Sequence, residues 1–257
     1  MNLKEIFRIQ NVLKESGYFD ISRIAKEIYE YSTLHNIPLD SILKRISNLE
    51  PWEYIRGFTE FRGKNFLVTK DTLIPRIESE QLVDIAMELV EKENVKKVID
   101  VGTGSGCLII SIAEETNKED VEYIGVDISK ETLKVAEKND RKSTVVFKQQ
   151  DLIHEDDLED STLIVANLPY IPTGMYEKLE RSVKDFEPKL ALDGGEDGLL
   201  YYKKLVELIT NSEKKILLLI EIEPSTLEDL KQYLEDTPIK IFRDYRSKER
   251  FVLLHFS

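Results

Sequence analysis

A doubly wound α/β sheet of seven strands, preceded by a small helical domain, is the fold this 257-residue sequence predicts. Three observations predict it. The first 50 or so residues carry their apolar side chains at helical spacing. From Lys97 onward, short continuous apolar runs alternate with amphipathic stretches, the pattern of strand–helix–strand units in a parallel sheet. The last two apolar runs, "IKIFRD" and "RFVLLHF", are joined by a connection too short for a crossover, so they close the sheet as an antiparallel pair.

Taken in order, Ile6, Ile9 and Leu13 define a first helix, Ile21, Ile24, Ala25 and Ile28 a second, and Leu39, Ile42, Leu43 and Ile46 a third. Asp20 is placed to cap the second and Pro38 to open the third. Residues 58–70, "FTEFRGKNFLVTK", alternate around Arg62-Gly63-Lys64-Asn65 and predict a β-hairpin. A helix from about Glu78 to Val90 follows, with Leu82, Ile85, Ala86 and Leu89 on one face. The seven strands are "KKVIDVG", "EYIGVD", "TVVFKQQD", "TLIVAN", "KKILLLIEI" and the final pair, with helices between them around Leu108–Ala113, Leu133–Lys138, Leu199–Ile209 and Ser225–Leu234. The expected division is 1–72, helices plus hairpin, for holding a partner, and 73–257 for the chemistry. The acidic stretch His154 to Asp160 reads as a solvated loop.

Charge narrows the partners. Lys and Arg number 36 against 49 Asp and Glu, a formal net charge of −13. A surface of that sign repels phosphate backbones, which disfavours nucleic acid. Cys107 has no second cysteine to pair with, which fits a reducing compartment and makes it a small buried residue at a helix start rather than a catalytic thiol. No signal peptide opens the chain, and the longest apolar run, Ile216 to Ile220, is far too short to span a bilayer. A soluble, cytoplasmic protein without membrane contact is expected.

Sheets of this kind bind ligands at the carboxyl ends of their strands, where strand order reverses. Three features fall there. Gly102-Thr103-Gly104-Ser105-Gly106 follows the first strand, and glycines let backbone approach a ligand closely while turning into a helix. Asp127 ends the second strand, 21 residues past Gly106, where a carboxylate can accept hydrogen bonds from both hydroxyls of a ribose. Such a pair serves enzymes using nicotinamide and enzymes using S-adenosylmethionine; the spacing here, G-x-G-x-G rather than G-x-G-x-x-G, leans toward the methyl donor. The third feature is unusual: the buried run "LIVA" ends in Asn167-Leu168-Pro169-Tyr170, presenting an amide, a rigid turn and a phenol ring.

Asn167-Leu168-Pro169-Tyr170 resembles the Asn-Pro-Pro-Tyr signature of methyltransferases acting on planar nitrogens of adenine or glutamine. "PWEYIRGFTEFRG" (51–63), "VTKDTLIPRIESE" (68–80), "VIDVGTGSGC" (98–107) and "FEPKLALDGGEDGL" (186–199), in that order, make most of the chain similar to the release-factor glutamine methyltransferase family. The resemblance implies a class I S-adenosylmethionine methyltransferase sheet, with S-adenosyl-L-methionine as donor and S-adenosyl-L-homocysteine as product. It implies release factors as protein substrate, methylated on the glutamine of their Gly-Gly-Gln loop. Gly102, Thr103, Gly104, Ser105, Gly106, Asp127, Asn167 and the pair Asp151-Leu152, where this fold meets adenine, are the expected donor-binding residues. For catalysis, the Asn167 side-chain oxygen and the Leu168 carbonyl are expected to accept from the substrate NH₂ while Tyr170 packs on the planar group and Pro169 fixes the loop. The chemistry needs positioning for in-line displacement rather than a base. None of His35, His154 and His255 lies near a motif, and no metal is expected.

The chain departs from the family pattern twice. Leu168 stands where the family has Pro, which preserves a backbone carbonyl but frees φ. Ile77 stands where the family commonly has Pro, with Arg76, Glu78 and Glu80 kept as structural or entrance-lining residues. Alternative readings are methylation of a ribosomal-protein glutamine or of adenine N6, a nicotinamide oxidoreductase, and a non-catalytic protein-binding module.

Overall fold

The computed structural model describes residues 2–235 and 237–256. It opens with α1 (Leu3–Glu15), α2 (Ile21–Leu34), α3 (Leu39–Ser47) and the short α4 (Trp52–Arg56). Their apolar stripes meet in a core of their own, with Ile9, Leu13, Ile28, Ile46 and Trp52 at its centre. Asn2 caps α1 by accepting from the Lys4 amide at 3.1 Å. Asp20 occupies the N-cap position of α2 but makes no capping bond, because its carboxylate accepts from the Arg23 guanidinium at 2.6 Å instead. Pro38 holds the corresponding position ahead of α3.

The hairpin is β1 (Phe58–Phe61) and β2 (Lys64–Leu67), joined by Arg62 and Gly63, both at positive φ. Its two phenylalanines do not join the helical core. Phe61 and Phe66 pack edge to face, centroids 6.0 Å apart, into a cluster with α5 (Glu80–Lys92) and α6 (Cys107–Thr116). Asn139 clamps β2 by accepting from the Leu67 amide at 2.7 Å and donating to the Leu67 carbonyl at 3.1 Å. By packing, the core of the helical domain therefore ends at Ile55, and the hairpin grouped with it by sequence rests on the sheet domain. The helix expected from Glu78 starts at Glu80, after a 3-10 turn at Ile77–Ser79.

The sheet consists of β3 (Lys97–Val101), β4 (Glu122–Asp127), β5 (Val146–Gln149), β6 (Thr162–Ala166), β7 (Ile216–Glu221), β8 (Ile239–Arg243) and β9 (Glu249–Phe256). Their order is β5-β4-β3-β6-β7-β9-β8, parallel throughout except for β9, which is antiparallel to both neighbours. Both faces are covered, which explains why the strands read as unbroken apolar runs. Ile99, Val101, Ile164, Leu218 and Ile220 face α10 (Leu200–Asn211) and α11 (Leu227–Leu234), whereas Val98, Leu163, Val165 and Leu219 face α5 and α6. Between β4 and β5 lies α7 (Lys130–Asn139), and the short α8 (Thr173–Tyr176) and α9 (Arg181–Lys184) follow β6. No helix among the described residues is long and apolar enough to cross a membrane.

Register decides where the chemistry sits. Val126 pairs with Val101, Val101 with Ala166, and Ala166 with Ile220. The next residue on each strand, Asp127, Gly102, Asn167 and Glu221, therefore emerges abreast at the carboxyl edge. Strand order reverses between β3 and β6, so the crevice opens between Gly102 and Asn167.

Candidate active site

The glycine loop begins at Gly102, whose φ of 75° lies in the left-handed region. A Cβ at Gly102 would stand 2.9 Å from the Leu168 side chain, so the absence of a side chain is what lets the β3 and β6 loops meet. Gly106, at φ 80°, starts α6, and a Cβ there would collide with Ile110 and crowd Ala136. Asp127 is clamped from both sides: one carboxylate oxygen accepts from the Gly104 amide at 3.0 Å, the other from the Ser129 amide at 2.9 Å. Burial pushes its carboxyl above the ordinary range, and the Ser129 and Gly104 amides oppose that shift. Beneath the loop, Asp100 is fully buried with one oxygen unpartnered; burial pushes it up to about 7, while the Thr103 hydroxyl, donating at 2.7 Å, opposes the rise.

A cavity of about 370 Å³ opens over this edge, within the usual size of a small-molecule site. Of the residues expected at the donor site, Gly102, Gly104, Asp127, Asp151, Leu152 and Asn167 line it, together with Leu168 and Pro169. Thr103, Ser105 and Gly106 are not on its wall. They shape the turn from below, Thr103 through Asp100 and Ser105 as a buried hydroxyl. Tyr170 is also off the wall: its hydroxyl donates to Glu221 at 3.2 Å. Cys107 is buried at the α6 start, where burial pushes its thiol up to about 12.

The β6 end is held by groups the sequence did not single out. The Asn167 amide nitrogen donates to Glu221 Oε2 at 2.9 Å and to Ser79 Oγ at 3.0 Å, and Ser79 itself donates to Glu221 at 2.7 Å. Burial pushes the Glu221 carboxyl above its ordinary range, opposed by Ser79 and by Arg250 at 3.9 Å. The Tyr202 hydroxyl, also buried, accepts from the Leu168 amide at 3.1 Å and donates to the Glu221 carbonyl. Segment 186–199 braces the same loop, through Ile171 to Leu192 at 3.0 Å and Gly194 to Ile171 at 2.8 Å. Of the charged residues around Ile77, Arg76 donates to buried Glu187 at 2.5 Å, Glu80 accepts from the Arg62 amide at 2.7 Å, and Glu78 accepts from Tyr245 at 2.9 Å. All three tie segments together, and none lines the cavity. The one available signal for Glu221 was an acid closing the aliphatic run Ile216–Ile220; for Lys70, Leu73, Gln150, Tyr201 and Lys204, which also line the cavity, there was none.

These residues fit a nucleoside-bearing donor: glycine backbone without Cβ on one wall, a carboxylate with both oxygens fixed in orientation, and apolar Ile128 and Leu152 flanking it. The seven-stranded sheet and the pocket at its switch point define an S-adenosylmethionine-dependent methyltransferase of class I, and the family profile described as "Methyltransferase domain" matches residues 92–249. Among solved structures, the hMettl16 catalytic domain superposes with a TM-score of 0.54 at 15% identity, over 76% of each chain. A human methyltransferase 10 domain containing protein gives 0.50 at 14% identity, over 77% of this chain and 90% of that one. The release factor glutamine methyltransferase of Flavobacterium psychrophilum is 32% identical over 98% of this chain and 93% of its own length. That of Clostridium acetobutylicum is 34% identical over 94% and 87%. The match to the Bacteroides thetaiotaomicron protein of the same name, at 38% identity, spans 66% of this chain and 62% of that protein. The chain belongs to the release factor glutamine methyltransferase family.

Proposed function

We propose that this chain transfers a methyl group from S-adenosylmethionine to the side-chain amide nitrogen of the glutamine in the Gly-Gly-Gln loop of peptide chain release factors, in the cytoplasm where those factors work. The observation that carries the reading is the Asn167 amide on the cavity wall: its nitrogen donates inward to Glu221 and Ser79, and among the described residues nothing donates to its oxygen. Bound in this cavity, S-adenosylmethionine supplies a methyl group on sulfonium, an electrophile that needs no metal or base to be reactive.

The chain's own residues then have three tasks. Asp127 holds the donor's ribose hydroxyls, with Gly102 and Gly104 giving backbone access and Asp151 and Leu152 walling the base. The Asn167 oxygen and the Leu168 carbonyl accept the two N–H bonds of the substrate amide, which aims the nitrogen and fixes its plane. An amide nitrogen is a poor nucleophile because its lone pair is delocalised, so alignment is the main contribution the protein makes. A nitrogen–carbon bond forms as the sulfur–carbon bond breaks, and one of the held N–H protons leaves to solvent. Tyr170 and Pro169 keep the loop in shape.

The test is mass spectrometry of intact release factor incubated with the protein and donor. A gain of one methyl group on the Gly-Gly-Gln glutamine supports the reading, and a factor whose glutamine is replaced by glutamate should gain none. A short peptide carrying the loop should react far more slowly, because it lacks the remote contacts that orient it. Radiolabel entering RNA or DNA and no release factor would overturn the proposal.

A further inference from the structure

We infer that Glu221 is a positioning residue: it determines which end of the Asn167 amide faces the cavity, and so makes the site selective for an NH₂ group over an oxygen-only one. This rests on the reading that Asn167 accepts from the substrate. An asparagine can present its oxygen or its nitrogen from nearly the same position by turning its amide through half a revolution. Something has to choose, because a nitrogen facing the cavity would meet a substrate N–H with another N–H.

The choice is made by counting protons. Glu221 lies at the end of β7, 1% exposed, and its carboxylate can only accept. Ser79 spends its single hydroxyl proton on Glu221 Oε2 at 2.7 Å, which leaves its lone pairs toward Asn167. The Asn167 amide nitrogen therefore faces two acceptors, Glu221 at 2.9 Å and Ser79 at 3.0 Å, which stand side by side and take its donor edge. The reversed amide would replace two hydrogen bonds with two acceptor–acceptor contacts. On the other carboxylate oxygen, Tyr170 donates at 3.2 Å and Arg250 stands at 3.9 Å. Arg250 is in turn held by buried Asp244 at 2.9 Å. A buried carboxylate is costly unless it is paired, and this one draws its partners from three segments of the chain, around Ser79, Asn167–Tyr170 and Arg250. Among the described residues, no group donates to the Asn167 oxygen, the atom left for a ligand.

The inference makes a prediction that a merely structural Glu221 would not. Asn167→Asp sets a second carboxylate against Glu221 and should nearly stop transfer. Adding Glu221→Gln to that variant restores a donor beneath position 167, pins one aspartate oxygen and leaves the other for the substrate. The double variant should recover about tenfold in kcat over Asn167→Asp alone, a coupling within the range seen for residues in contact. A direct measurement needs no substrate: the Asn167 side-chain amide protons, assigned in a ¹⁵N spectrum by their loss in Asn167→Asp, should exchange slowly in the unaltered protein and rapidly in Glu221→Leu. Wild-type protons that exchange like those of a surface asparagine, or a double variant no better than Asn167→Asp, would overturn the inference. Protected protons in a protein that methylates no release factor would uphold the lock and reject the substrate instead.

Discussion

The β3 and β6 ends of the same crevice are built by opposite means. On the β3 side the floor of the pocket is mostly backbone: three glycines at positive φ and two amides, from Gly104 and Ser129, gripping Asp127. On the β6 side the polar surface is made by side chains from Ser79, Asn167 and Glu221, which lie 88 and 54 residues apart from Asn167. The difference follows from the task. A nucleoside donor is recognised by close approach and by one carboxylate, whereas an uncharged amide is recognised only by acceptors whose orientation is enforced. Enforcing it takes a second layer, and a second layer is drawn from wherever the fold brings donors and acceptors together.

Substitutions should therefore separate the two sides. The largest effect is expected on the β6 side. Asn167→Ala removes one of the two proposed acceptors and leaves a buried Glu221 without its amide partner, so transfer should fall by roughly a thousandfold, the scale seen when one preorganised donor or acceptor is removed from a reacting centre. Stopped turnover with donor affinity changed by only a few-fold, measured by calorimetry, is the expected result. Equal loss of both would mean that the two sides are not separable at this residue.

On the β3 side the expected effect is smaller and falls on binding. Asp127→Ala removes the charge-assisted bonds proposed to the ribose, worth about 1.5–3 kcal/mol each, and frees the Gly104 and Ser129 amides that now depend on it. Donor affinity should drop by roughly 10- to 150-fold at least, while kcat at saturating donor changes less. A kcat that fell as far as the affinity would place Asp127 in the transfer step itself.

This asymmetry also accounts for what the sequence disclosed. The seven strands, the antiparallel closing pair and the glycine loop were legible because each is written locally, in an apolar run or a turn. The hairpin was legible as a hairpin, but its docking on α5 and α6 was not, since only the fold shows that Phe61 and Phe66 join the core of those helices rather than the one around Trp52. Asn167 and Asp127 stood out as polar residues ending buried strands. Glu221 ended one too, yet its motif-free surroundings hid it, and Ser79 gave no sign of its role. Tyr170 stood out as an aromatic ring in the motif, but the bond from its hydroxyl to Glu221 was not legible there.

Buried carboxylates sharpen the contrast in another measurable way. Glu221 has two hydroxyls, an amide and a nearby guanidinium, whereas Asp100 has one hydroxyl and an unpartnered oxygen, and is pushed up to about 7 by burial. An acid raised in the folded state holds a proton that the unfolded chain has already lost. Stability contributed in this way is full below the unfolded value near 4 and is lost as pH rises toward 7, at up to about 1.4 kcal/mol per pH unit. Denaturation midpoints should fall between pH 5 and 7, and Asp100→Asn should flatten that slope. A slope unchanged in the variant would assign the dependence to other groups.

The smallest effect is expected where the two sides touch. Leu168→Pro restores the family's residue and keeps the carbonyl proposed as second acceptor, so transfer should change by less than about tenfold. The structure adds a cost that the motif alone does not reveal. The Leu168 amide donates to Tyr202 at 3.1 Å, and proline has no proton to give. Tyr202 also donates to the Glu221 carbonyl, so its hydroxyl keeps one partner, and the loss should stay near about 1 kcal/mol. The leucine side chain, buried in the core against the space Gly102 leaves open, is the other thing proline would surrender. A modest drop in denaturation midpoint with transfer largely kept would place the acceptor in the backbone at 168. Transfer lost as completely as in Asn167→Ala, in a variant that still folds and binds donor, would show that the leucine side chain itself shapes the substrate pocket.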